Sequence, residues 1–146
     1  MCIRVRRARA VDLPLLYPNR NRDEAAEAEL GVEYRSLDDL LRESDFVALN
    51  CPLTEETTGM IGKAQFELMK PTATLINMAR GPVVVTGDLY ETLKAGRIRG
   101  AALDVTDPEP LPRNHPLLTL DNLVIAPHLG SASHRTRPKM MERTVE

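Results

Sequence analysis

The sequence has no tryptophan, two phenylalanines and three tyrosines, and its 146 residues contain two cysteines. So few aromatics leave few platforms on which nucleobases could stack. Nineteen basic residues against twenty-one acidic ones give a net charge of -2, which is not the balance of a nucleic-acid binder. Nucleic acid is therefore not an expected partner, and Arg4, Arg6, Arg7 and Arg9 read as a solvated end. Cys2 and Cys51 are too few for a disulfide framework, so a reduced, cytoplasmic setting is the default expectation. No apolar run approaches the ~18 residues of a membrane span. The first twenty residues lack the apolar centre of a secretory signal; an Arg-rich transit peptide is the other reading of that stretch. The three histidines do not stand at metal-ligand spacing, so no metal is expected. What is present, 42% hydrophobic and 27% charged residues in one domain's length, suits a soluble globular fold.

From about residue 23 the pattern alternates between helix and strand. Asp23–Leu30 is rich in Ala and Glu and stops at Gly31, a good helix closer. Ser36, with Asp39 three residues on, resembles a capping box ahead of Leu37, Leu40 and Leu41. Gly62–Lys70 reads as a helix ended by Pro71, and Thr86 as the cap of a helix that carries Leu89 and Leu93 and closes at Gly96. His134–Glu146 reads as a weak helix interrupted by Pro138. Strands are expected at Phe46–Leu49, Thr74–Met78, Gly100–Val105 and Leu123–Ala126. Leu13–Tyr17 is a further candidate, with Pro14 best placed at an edge or a strand start. The runs are continuously apolar rather than alternating, which predicts a parallel sheet covered on both faces and hence an α/β, Rossmann-like fold.

In such sheets ligands bind beyond the carboxyl ends of the strands. Those ends carry Asn50 to Thr54, then Arg80, then Asp104 and Glu109, then His128. An arginine, an acid and a histidine would therefore converge on one rim. A guanidinium grips a carboxylate through paired donors, histidine exchanges protons near neutrality, and a neighbouring carboxylate favours the imidazolium. The set suits reduction of a 2-oxo acid, with Arg80 holding substrate, His128 protonating the nascent alkoxide and Glu109 supporting His128. Each has a plainer reading: Arg80 as a surface cation, Glu109 as a solvated loop acid, His128 as a packing residue beside Pro127. His115 and His134 read as structural or surface residues, and Cys51 as loop wall.

Three segments resemble the D-isomer-specific 2-hydroxyacid dehydrogenases over roughly residues 13–146. Asn77–Val84 is similar to that family's NxxRGxxV, Gly100–Pro110 to its GAxLDVxxxEP, and Ala126–Ser131 to its PHxGS. Pro110 to Pro112, Asn114 to Leu118 and Ser131 to Arg137 resemble the glyoxylate/hydroxypyruvate reductase branch. The resemblance implies Arg80, Glu109 and His128 as the catalytic set, Asp104 near the nicotinamide, and Pro52, Met78 and Gly130 at cofactor or substrate. It also implies a small 2-oxo or 2-hydroxy acid as substrate. At the ribose end, Asn19 stands where NAD-preferring relatives carry an acid, with Arg20 and Arg22 beside it. An arginine there accommodates a 2′-phosphate, so NADPH (NADP) is expected over NAD; two exposed arginines in a turn is the other reading.

The sequence departs from that family at its start. Residues 1–12 contain no GxGxxG, whose glycines let a backbone approach a pyrophosphate. The expectation is an atypical segment over 1–12 and a partial NAD(P)-binding domain over 13–146. The first strand, the glycine loop and the substrate domain would all be absent. Cys2 to Val5 is a poor substitute strand, and the edge left bare would be an aggregation hazard. The competing expectation is a non-catalytic remnant that binds no dinucleotide, acting as an interaction module through a homodimer or through pairing with a full-length relative.

Overall fold

The computed structural model describes residues 8, 10, 12–19 and 21–145. Cys2 to Val5 and Arg20 lie outside the described residues. The chain divides into two compact units, Met1–Ser44 and Asp45–Glu146.

In the first unit, β1 (Leu16–Tyr17) pairs in parallel with β2 (Glu33–Tyr34) around α1 (Glu24–Leu30). Asp23 caps α1 by accepting from the Ala26 amide at 3.0 Å. Gly31 ends it at φ 61°, where a residue without Cβ sits at no steric cost. Ser36 caps α2 (Leu37–Glu43) through the Asp39 amide, as its sequence signature predicts. The candidate strand Leu13–Tyr17 shortens to Leu16–Tyr17, with Pro14 ahead of the ladder, and β2 carries no apolar run by which to recognise it.

The second unit holds four parallel strands in the order β3-β4-β5-β6: Phe46–Leu49, Thr74–Asn77, Gly100–Leu103 and Leu123–Ile125. Between them lie α3 (Lys63–Leu68) and α4 (Thr86–Lys94), and α5 (Thr136–Val145) follows β6. Thr86 is not the cap of α4. Val85 holds that position, and the Thr86 hydroxyl donates to the Asp107 carbonyl at 2.9 Å. Pro138 sits in the first turn of α5, where no amide donor is needed.

The α/β parallel fold agrees with expectation; the covering of its sheet does not. Val47, Leu49, Leu75, Asn77, Ala101 and Leu103 are buried, together with Phe66, Met69, Leu89, Leu93 and Ile98. On the opposite face Ala48, Ile76, Ala102 and Val124 form one cross-strand row, and Phe46 and Val124 are 65% and 68% exposed. The reason is topological. Strand order advances one way from β3 to β6, and right-handed crossovers made in one direction lay their helices on one face. A reversal of strand order is what would carry helices to the other face. The β5-to-β6 connection contributes only the 3₁₀ turn Pro116–Thr119, with Leu117 buried.

The two faces therefore differ in what they tolerate. Leu75→Ala is expected to cost about 2–5 kcal/mol, the usual range for a buried leucine. Val124→Thr is expected to stay within about 0.5 kcal/mol of wild type, as at an exposed position. Urea unfolding of both variants checks this, and equal losses would contradict the one-sided core.

Candidate active site

Each residue of interest in the second unit sits just past a strand. Beyond β3, Pro52 lies in a loop that ties itself together: the Thr57 hydroxyl donates to the Pro52 carbonyl at 2.7 Å. Beyond β4, Met78 is exposed and Arg80 opens the 3₁₀ turn Gly81–Val83. Gly81 is required by close approach, because a Cβ there would overlap the backbone of Thr106 and Asp107. The segment carrying Arg80 thus lies directly against the one that leads to Glu109. The Thr106 hydroxyl, donating to Pro108 O at 2.9 Å, folds that second segment back on itself.

Beyond β6, His128 occupies the left-handed region at φ 54°, a conformation uncommon for a side chain other than glycine and one that other contacts must hold. Asp104, the first residue after β5, supplies such contacts. Its Oδ1 accepts from the Leu129 amide at 2.7 Å and its Oδ2 from the Gly130 amide at 2.9 Å. A Cβ at residue 130 would stand 3.0 Å from that same Oδ2, a tight approach that would push the carboxylate by a few tenths of an ångström. With its backbone so fixed, His128 places Nδ1 2.6 Å from Glu109 Oε1.

Two cavities open on this edge. One of about 530 Å³ is lined by Asn50, Cys51, Pro52, Leu53, Met78, Ala79 and Arg80. The other, about 340 Å³, is bounded by Met78, Leu129 and Gly130, with Ile76, Ala102 and Val124 of the sheet and the Asp104 carboxylate. Met78 lines both. Glu109 is thus brought to His128, Asp104 to Gly130, and Pro52 and Met78 to Arg80. Asn77, which heads the NxxRGxxV-like segment but carries no role in the sequence reading, is buried and donates to the Arg80 carbonyl; its signal is a lone amide in the apolar run Thr74–Met78. Among the described residues no cluster of His, Cys, Asp and Glu is arranged to hold a metal, and no helix is long and apolar enough to cross a membrane.

In the first unit Asn19 follows β1 by two residues. Arg22 is engaged by Glu27 side-on, Nε to Oε1 and Nη2 to Oε2, both at 2.8 Å. The Tyr17 hydroxyl also donates to Glu27 Oε1, at 2.7 Å. These bonds, Arg22 first and Tyr17 second, draw the Glu27 carboxyl down from 4.5 to about 2.

The chain belongs to the D-isomer-specific 2-hydroxyacid dehydrogenases: the model of that family's NAD-binding domain matches residues 4–130. It is 53% identical over 141 residues to a glyoxylate reductase of Korarchaeum cryptofilum, covering 97% of this chain and 42% of that protein. It is 51% identical over 125 residues to the human glyoxylate reductase/hydroxypyruvate reductase, covering 86% of this chain and 38% of that one. The crystal structure of the TT0316 protein of Thermus thermophilus superposes with a TM-score of 0.88 at 45% identity, over 97% of this chain and 43% of its own. The chain thus spans about two fifths of the length of the relatives it matches.

Glu27 makes a pH test available. A carboxyl lowered on folding contributes stability that is complete above its unfolded value, 4.5, and is lost as pH falls toward about 2. Wild type is expected to lose stability relative to Glu27→Gln across that window. The difference is expected to stay level above it. Urea midpoints measured from pH 2 to 7 check the sign.

Proposed function

We propose that this protein serves NADPH-dependent reduction of a small 2-oxo acid of the glyoxylate or hydroxypyruvate class. The observation that carries the reading is the His128–Glu109 contact of 2.6 Å on the edge that also bears Arg80. Arg80 binds the substrate carboxylate through paired N–H donors. Glu109 engages Nδ1 and orients the ring, leaving Nε2 as the nitrogen that handles the substrate proton. As the carbonyl becomes an alkoxide, His128 delivers that proton to the oxygen, and the product is the 2-hydroxy acid.

The donor set fits a nicotinamide. The cavity bounded by Met78, Ala102, Leu129 and Gly130 is largely apolar, has one carboxylate at its margin in Asp104, and is of the size of small-molecule sites. Pro52, Met78, Asp104 and Gly130 would hold that end. Asn19, Arg20 and Arg22 would hold the ribose and its 2′-phosphate. When bound, the reduced nicotinamide supplies the hydride. Support for NADPH over NADH is the amide at position 19 in place of an acid, with Arg20 and Arg22 beside it in the sequence.

The test is loss of NADPH absorbance with glyoxylate, on the full chain. His128→Asn is expected to lower kcat about 10²–10⁴-fold, Glu109→Gln less, and Arg80→Lys to act chiefly on KM. Arg22→Ala is expected to weaken NADPH more than NADH; equal effects would remove the ribose-phosphate role. A second reading, a non-catalytic interaction module, is favoured by the bare apolar face around Phe46 and Val124. It predicts no turnover and no dinucleotide binding with the trio intact.

A further inference from the structure

We propose that Asn77 is a positioning residue for Arg80, an amide brace that sets the turn from which the guanidinium is presented. The inference rests on the reading of Arg80 as the anion-binding group. Asn77 is 1% exposed, in a row otherwise made of Leu49, Leu103 and Ile125. An apolar residue of similar volume would satisfy packing there, and a buried amide is costly unless both of its ends are bonded. Both are. Oδ1 accepts from the Ala79 amide at 3.0 Å, and Nδ2 donates to the Arg80 carbonyl at 3.0 Å. The same carbonyl accepts from the Val83 amide at 3.2 Å.

The brace itself is anchored from both sides. The Met78 amide donates to Leu49 O at 3.3 Å, and the Asp104 amide donates to Asn77 O at 2.9 Å. Neighbouring strands thus hold Asn77, and Asn77 holds the backbone of the two residues that precede and carry the guanidinium. On the far side, Gly81 rests against Thr106 and Asp107. Arg80 closes the arrangement locally, with Nη1 donating to Ala79 O at 2.7 Å. The chemistry calls for one acceptor and one donor on the same short side chain. Aspartate keeps the acceptor and loses the donor, leucine loses both, and the serine hydroxyl is too short to span to Arg80 O.

The experiment is nitrogen-15 NMR of the full chain with Asn77→Asp and Asn77→Leu, and Asn77→Ser as a further variant should either fail to fold. Asn77→Asp is expected to keep slow Ala79 amide exchange while the Arg80 Nε–Hε signal becomes mobile. Asn77→Leu is expected to speed Ala79 exchange about tenfold as well, the effect of one lost hydrogen bond. Amides of β3 and β5 should stay unchanged, which separates positioning from general destabilisation. Oxamate, a non-reactive 2-oxo-acid analogue, is expected to shift the wild-type Arg80 signal and to bind both variants about tenfold more weakly. Unchanged Arg80 mobility and Ala79 exchange in both variants would overturn the brace. Oxamate that fails to move Arg80 in wild type would overturn the anion-binding reading instead, leaving the brace to be judged on mobility and exchange.

Discussion

A parallel sheet starts all of its strands on one edge and ends them all on the other. Everything at the candidate site follows from that constraint. Arg80, Asp104 and His128 are separated by more than twenty residues each, yet each lies within three residues of the end of β4, β5 or β6. The sheet brings them to the same edge but does not aim them. Aiming is done by side chains that bond to backbone: Asn77 to residues 79 and 80, Asp104 to residues 129 and 130, Thr86 to residue 107. Such bonds fix the direction of the chain as it leaves a strand, where no ladder partner remains to do so.

That division explains what could be read in advance. Strand identity was legible because apolar runs of strand length, bounded by Gly, Pro and polar clusters, leave few other options. The shared edge was legible because a parallel sheet ends all of its strands on the same side. The Asp104 clamp was not, since a carboxylate that accepts from two amides has no sequence mark distinguishing it from one that meets a ligand. Thr86 illustrates the same limit. A threonine at a helix start suggests a cap, but a hydroxyl takes whichever acceptor is nearest, and here that is Asp107 O, twenty-one residues away.

Continuously apolar strands predict cover on both faces, and one face has it. Hydrophobicity records what a surface can bury; topology decides what arrives to bury it. With strand order running in a single direction, α3 and α4 fall on one side, and Ala48, Ile76, Ala102 and Val124 keep a face suited to a second layer. That face is continuous with the site, because Ile76, Ala102 and Val124 also floor the smaller cavity. Whatever covers the sheet there would also shape the wall of that cavity.

The His128–Glu109 contact shows why backbone control matters more here than charge. The pair is short, 2.6 Å, but its side chains are 46% and 40% exposed. In water-like surroundings Coulomb attraction is weak and screened, so it cannot by itself hold an imidazole in one orientation. The left-handed turn at His128, fixed by Asp104 through the next two amides, sets where the side chain leaves the backbone, and the bond from Nδ1 to Glu109 then orients the ring. Displacing water from this rim would then strengthen the His128–Glu109 interaction without moving an atom, since the geometry already exists. The contact is therefore set by how the chain is held and not by how dry its surroundings are.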